Sequence, residues 1–201
     1  MKPVKNISFT ILILLILSQT ALFSQNENQQ KMSPEQKAWM EYMMPGPMQK
    51  ILEKNVGKWK TVSKFWQSPE AEAMVSEGIA ESEMILGGRY LKSTYHGTAM
   101  GMPMEGQSLD AFDKALGKFQ SIWIDNMGTG ISTSEGTYDK ASNTITYKGS
   151  MVDPVSKKKV TYKAVVKFLD DNTHVFDMYM THAGKEFKSM EINYTRIPDK
   201  K

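Results

Sequence analysis

Four acids stand in segments rich in apolar and aromatic residues: Glu105, Asp113, Asp125 and Asp177. Two carboxylates facing one cavity would serve as general acid and base. Strand parity alone does not say which of them converge. Glu105-Gly106 and Asp125-Asn126 also adjoin turn residues, where an acid caps backbone N–H groups. Three histidines, His96, His174 and His182, form no H-x-H or H-E-x-x-H pair at metal spacing. His174 and His182 share parity but would lie roughly 26 Å apart at strand rise, too far for one ion. A single axial histidine on haem is the remaining possibility for His96 or His182. Met100, Met102 and Met104 are one thioether cluster, and Met40, Met43, Met44 and Met48 are another. Thioethers are soft ligands for Cu(I), but methionine is also an adaptable filler of apolar gaps. No Gly-x-Ser-x-Gly elbow, Ser/His/Asp order or dinucleotide fingerprint occurs. The sequence therefore specifies no cofactor and no metal. Gly87-Gly88-Arg89 reads as a tight turn, because strand residues rather than a helix follow it.

The elements that must position these residues come in two kinds. Ser33 before Pro34-Glu35-Gln36 is a helix start, with an N-cap, a proline at the first helical position and a glutamine at the third. This helix is expected over Pro34 to Met44, with Trp39, Met40, Met43 and Met44 as its apolar side. Pro45-Gly46-Pro47 stops it. A second helix from Met48 to Asn55 aligns Met48, Ile51 and Leu52. After Gly57 the apolar period changes to two. Val160, Tyr162, Ala164, Val166 and Phe168 form one face of a segment; His174, Phe176, Met178, Met180 and His182 form a face of the next. About ten such segments lie near 58–66, 74–86, 89–98, 104–113, 117–125, 129–139, 142–152, 158–169, 173–182 and 185–197, with turn residues between most of them. A meander of ten strands has two bare edges unless it closes. The expected fold is all-β: a roughly ten-stranded antiparallel up-and-down barrel, preceded by one or two short helices. An open sandwich is the alternative.

Several pieces, in order, resemble a known family. Gly57-x-Trp59, Gly87-Gly88-Arg89-Tyr90-Leu91, Glu105-Gly106 with Phe112-Asp113, Trp123-x-Asp125 and Tyr194-x-Arg196 are similar to a bacterial family known as a domain of unknown function (number fifteen-seventy-nine). A Gly-x-Trp start with a late arginine also resembles the calycin superfamily, which includes lipocalins and fatty-acid-binding proteins. The resemblance implies that Arg196 packs across Trp59 and closes the barrel floor. A guanidinium over an indole contributes roughly 0.5–2 kcal/mol. The family implies a fold and no catalytic residues.

The N-terminus differs from the rest. Lys2 and Lys5 precede an apolar run, Ile7 to Leu17, and then the small and polar residues Ser18 to Gln25. That is the layout of a secretory signal peptide, and the run is short of the ~20 residues a spanning helix needs. The expected organisation is a signal peptide over 1–24, a flexible linker over 25–33, a helical segment over 34–55 and a barrel over 56–198. The mature protein would be periplasmic or secreted, with no stable membrane span. Losing Lys2 and Lys5 from 25 basic residues leaves 23 against 22 acidic ones, a net of +1. Such a surface has no long-range attraction for nucleic acid. No cysteine is present, so the core alone holds the fold.

Ten strands enclose enough space for a small ligand. The leading expectation is an exported protein that binds a small, largely apolar molecule, with Tyr95, Trp123, Asp125, Met178 and Met180 as candidate lining residues. Trp123 and Asp125 share a strand face, which mixes an apolar surface with a polar group. A hydrolase or isomerase using cavity carboxylates is the second expectation. A structural or interaction protein with a filled barrel is the third.

Overall fold

The structure, a computed structural model, describes residues 32–198. The expected signal peptide and most of the expected linker lie outside the described residues. The chain divides between Glu41 and Tyr42 into two compact units.

Helix α1 spans Pro34–Met43. Its start is the capping box that the sequence spells: Gln36 N–H donates to Ser33 Oγ at 3.1 Å, and Ser33 N–H donates to Gln36 Oε1 at 2.8 Å. No α1 residue is buried, and Trp39, Met40, Met43 and Met44 are all exposed. The expected apolar side is thus not part of a buried core.

Helix α2, Pro47–Glu53, belongs to the second unit, with strands β1 Gly57–Phe65, β2 Met74–Ile85, β3 Tyr90–Ala99, β4 Met102–Asp113 and β5 Lys118–Asp125. It continues with β6 Ser132–Asp139, β7 Thr144–Val152, β8 Lys159–Phe168, β9 Thr173–His182 and β10 Lys185–Arg196. All ten expected segments are strands. Each pairs antiparallel with its sequence neighbours, and β1 pairs with β10, so the sheet is a closed barrel. The alternative of an open sandwich does not hold. Leu86, Gly87 and Gly88 have φ of 49°, 68° and 79°, the left-handed turn that the double glycine makes accessible. Among the described residues no helix is long and apolar enough to cross a membrane.

One end of the barrel is sealed. Leu52 of α2 is 1 % exposed and packs with Leu91, Phe119, Ile145 and Phe168, flanked by Met48 and Ile51. Burying a leucine of this kind contributes about 1.5–3 kcal/mol. Gln49 Nε2 donates to the Phe112 carbonyl at 3.1 Å, and Arg89 Nε donates to the Met43 carbonyl at 2.9 Å. The entry of the helix is thereby tied to β3 and β4. The β1–β10 seam lies at the same end. Trp59 pairs with Arg196, whose guanidinium lies 4.0 Å from the indole centre. Arg196 donates to the carbonyls of Val56, Lys54 and Asp171, and Trp59 Nε1 donates to that of Asn55. Gly57 belongs to this lock. Its φ is +120°, and a Cβ there would meet Arg196 Nη1. His174 packs edge-on against Trp59 and stacks on Tyr194. Burial and the Arg196 charge lower its pKa to about 3, so the ring is neutral at physiological pH.

Arg196→Ala is expected to destabilise by about 1–3 kcal/mol, through loss of the packed stem and of the backbone hydrogen bonds. Trp59→Ala is expected to cost about 3–5 kcal/mol. In urea unfolding the double variant should lose less than the sum of the two. Strict additivity would mean that the two residues do not act together at the seam.

Candidate functional site

Alternation places one set of side chains from every strand inside the barrel. Directly opposed residues share a face, so the registers extend this set from strand to strand. Ser82 pairs with Ser93, Ser93 with Ser108, Ser108 with Trp123, Asp110 with Ser121 and Ser121 with Ser134. These residues form a polar belt above the apolar floor. Ser82 Oγ donates to Ser93 Oγ at 2.7 Å, and Ser108 Oγ donates to Asp110 Oδ2 at 2.8 Å. Tyr147 of β7 and Tyr194 of β10 are also on the inward face; burial raises the pKa of both phenols, and the Asp110 charge adds to it.

Asp110 is the electrostatic centre. Desolvation pushes its carboxyl above the usual range, and hydrogen bonds from Ser121 and Ser108 oppose the shift. Protein surrounds the carboxyl, yet Ser82, Ser93, Ser108, Asp110, Ser121 and Ser134 all keep part of their surface uncovered. Tyr147 and Tyr95, at 5 % and 8 % exposure, are nearly covered. The hydroxyls of Tyr95, Tyr147 and Tyr194 have no hydrogen-bond partner among the described residues.

The candidate lining residues are only partly brought together. Tyr95 is buried with Trp59 and Ala80, and Trp123 packs against that cluster. Their rings lie where two strands lack side chains. A Cβ on Gly106 would collide with the Trp123 ring, and one on Gly97 with the Tyr95 phenol. Trp123 Nε1 donates to Asp125 Oδ2 at 2.6 Å, and Met127 N–H donates to Asp125 Oδ1 at 2.9 Å. Asp125 therefore faces inward with both oxygens engaged. It caps the turn and orients the indole at once. Met178 opposes Ala164 and Met190, while Met180 opposes Phe187 towards the other end of β9, both on the inward face.

The other acids lie elsewhere. Glu105 is on the outer wall, 3.8 Å from His96. Asp113 accepts the N–H groups of Ala115 and Leu116. Asp177 pairs outside with Lys188 at 2.8 Å. Of the histidines, His96 and His182 are exposed and His174 is in the floor. Met104 packs beside Tyr95, whereas Met100 and Met102 are exposed, so the methionine cluster is split. Asp110 itself is absent from the sequence-derived candidates. Its signal is that it shares parity with Gly106, Ser108 and Phe112, whereas Asp113 does not.

Comparison with known proteins agrees with this architecture. A family model described as "Protein of unknown function (DUF1579)" matches residues 44–196. Rv2717c from M. tuberculosis has a similar structure, with a TM-score of 0.59 at 14% identity over 77% of this chain and 100% of its own. The S-type phycobiliprotein lyase CPES from Guillardia theta is similar at a TM-score of 0.51 and 10% identity, over 81% of this chain and 98% of its own. At these identities the likeness is one of fold. No curated protein matches the sequence.

Asp110→Asn has a signed consequence for stability. The carboxyl ionises less readily folded than unfolded, so its contribution is fully present below the unfolded pKa and is lost as pH rises through the folded pKa. Asparagine removes that dependence. Thermal unfolding should show the variant more stable than wild type at pH 8, with the gap closing towards pH 4. A gap that is constant with pH would contradict the assignment of Asp110 as a desolvated lumenal acid.

Proposed function

The chain belongs to the DUF1579 family, and on that premise we propose that its barrel is a receptacle for one small, largely apolar molecule. One observation carries the reading. The belt around Asp110 is enclosed by protein, yet its inward side chains retain uncovered surface, whereas the floor beneath it is packed to 0–2 % exposure at Phe119, Ile145 and Leu91. A filled barrel would bury the belt as completely as the floor. Apolar walls around a few oriented polar groups are the usual composition of a small-molecule site. Trp123, Tyr162, Met178 and Met180 supply the walls. The belt supplies the polar groups. The fold shared with the phycobiliprotein lyase is compatible with this reading.

Catalysis by a hydrolase or isomerase has less support. Of the two inward carboxyls, Asp125 is engaged through both oxygens, which leaves Asp110 without an acid–base partner of its own kind. The export expected from residues 1–24 sets the place of action. A positively charged start, a short apolar run and a small polar segment support it. N-terminal sequencing of the protein from its native host should then find a start within a few residues of Gln25. Met1 retained on membrane-bound protein would contradict export.

Titration with a neutral naphthalene probe, followed by tryptophan quenching, tests the receptacle. Saturable binding of about one probe per chain is expected of a single enclosed site. Ser108→Phe, which projects a ring into the belt, should abolish it while the protein stays folded by circular dichroism. Absence of saturable binding, or binding unchanged by the blocking ring, would overturn the proposal.

A further inference from the structure

The belt has a carboxyl without a basic partner. Buried carboxyls are ordinarily paired with a cation or neutralised. Among the described residues Asp110 has hydroxyls around it and no basic side chain. On β4 its inward neighbours are Ser108 and Phe112. On the flanking strands they are Leu91 and Ser93 of β3, and Phe119 and Ser121 of β5. Arg196, the one guanidinium inside the barrel end, is spent on the carbonyls of Lys54, Val56 and Asp171 and on the Trp59 face. The lysines of the wall point outward, as the ion pairs Lys58–Glu81, Lys60–Glu77, Lys118–Glu135 and Lys163–Glu186 show.

Other lumenal polar atoms are also without partners. Thr61 is 0 % exposed, and its Oγ1 has no hydrogen bond. Thr61 stands opposite Tyr194 on the same inward face. Tyr147 and Tyr95 are more than nine-tenths buried, with hydroxyls likewise unpartnered among the described residues.

We propose that the ligand brings the missing charge: a small organic cation, a primary amine with an apolar tail, whose ammonium pairs with Asp110. The inference rests on the lumenal-binding reading and narrows it to one class. The ammonium sits in the belt, held by the Asp110 carboxylate and the hydroxyl oxygens of Ser108 and Ser121 beside it. The tail lies along Trp123, Met178 and Met180. An anionic amphiphile such as a fatty acid meets like charge at Asp110 and finds no free basic group in the belt to offset it.

Calorimetric titration of the mature chain at pH 7 with octylamine, octanol and octanoate separates the head groups at constant tail length. Octylamine should bind about tenfold or more tighter than octanol, since a hydrogen-bonded ion pair outweighs a neutral bond, and octanoate should bind more weakly than octanol. In Asp110→Asn the advantage of octylamine over octanol should vanish. Octanoate binding as well as octylamine, or a preference for the amine that survives Asp110→Asn, would overturn the assignment. Equal binding of all three would overturn this inference and leave the receptacle standing. No saturable binding of any would overturn both.

Discussion

A meander of ten antiparallel strands leaves β1 and β10 each with a row of unpaired N–H and C=O groups, and the pairing of those two edges is what the rest of the molecule depends on. Seven opposed residue pairs run from Trp59–Arg196 to Phe65–Met190 along the seam. The first and last strands are the parts of the barrel most distant in sequence, so joining them carries the largest loop-closure cost. That cost is met at one place. The guanidinium on the indole, three backbone carbonyls held by one arginine, and a glycine whose missing Cβ makes room for it act together at the seam. Nothing holds the seam covalently, since the chain has no cysteine.

Closure creates an inside, and the composition of the inward face then divides it by height. At the α2 end large apolar residues interlock and exclude everything else. One layer further in, the inward positions of β2 to β6 are mostly serines, with the aspartate of β4 among them. Beyond them the rings of Trp123 and Tyr162 lie against Gly106 and Gly149, a large residue set against none at all. The floor is a core in the ordinary sense. The belt is a set of polar groups held apart by a rigid wall, with one carboxyl that desolvation makes reluctant to ionise alone. This contrast favours binding over mere structural filling.

Much of this is legible in the sequence because the strand period of two is so regular. The segment 173–182 is the strand Thr173–His182 to the residue, and the Ser33–Gln36 capping box starts its helix as the side chains dictate. Parity also places Trp123 and Asp125 together, and the indole hydrogen bond between them follows. Parity does not say which face turns inward. In β4 the outward face carries Leu109 and Ala111 and the inward face carries Ser108 and Asp110, so hydrophobicity alone selects the wrong side. Stripes that look like a cavity wall, such as Ala164, Val166 and Phe168, instead complete the floor, because depth along the barrel is set by register with other strands. The apolar residues of α1 mislead in the opposite sense. Their helical stripe joins no buried core.

The central claim, an unfilled belt above a packed floor, can be read chemically because the protein has no thiol of its own. A cysteine placed by Ser121→Cys stands in the belt, and another placed by Ala164→Cys stands in the packed floor. Under native conditions the thiol at position 121 should react with a small methanethiosulfonate at a measurable rate, and the thiol at position 164, in the floor, should react only as the protein unfolds. Equal protection of both would mean that the belt is packed like the floor, which would contradict a receptacle inside the barrel.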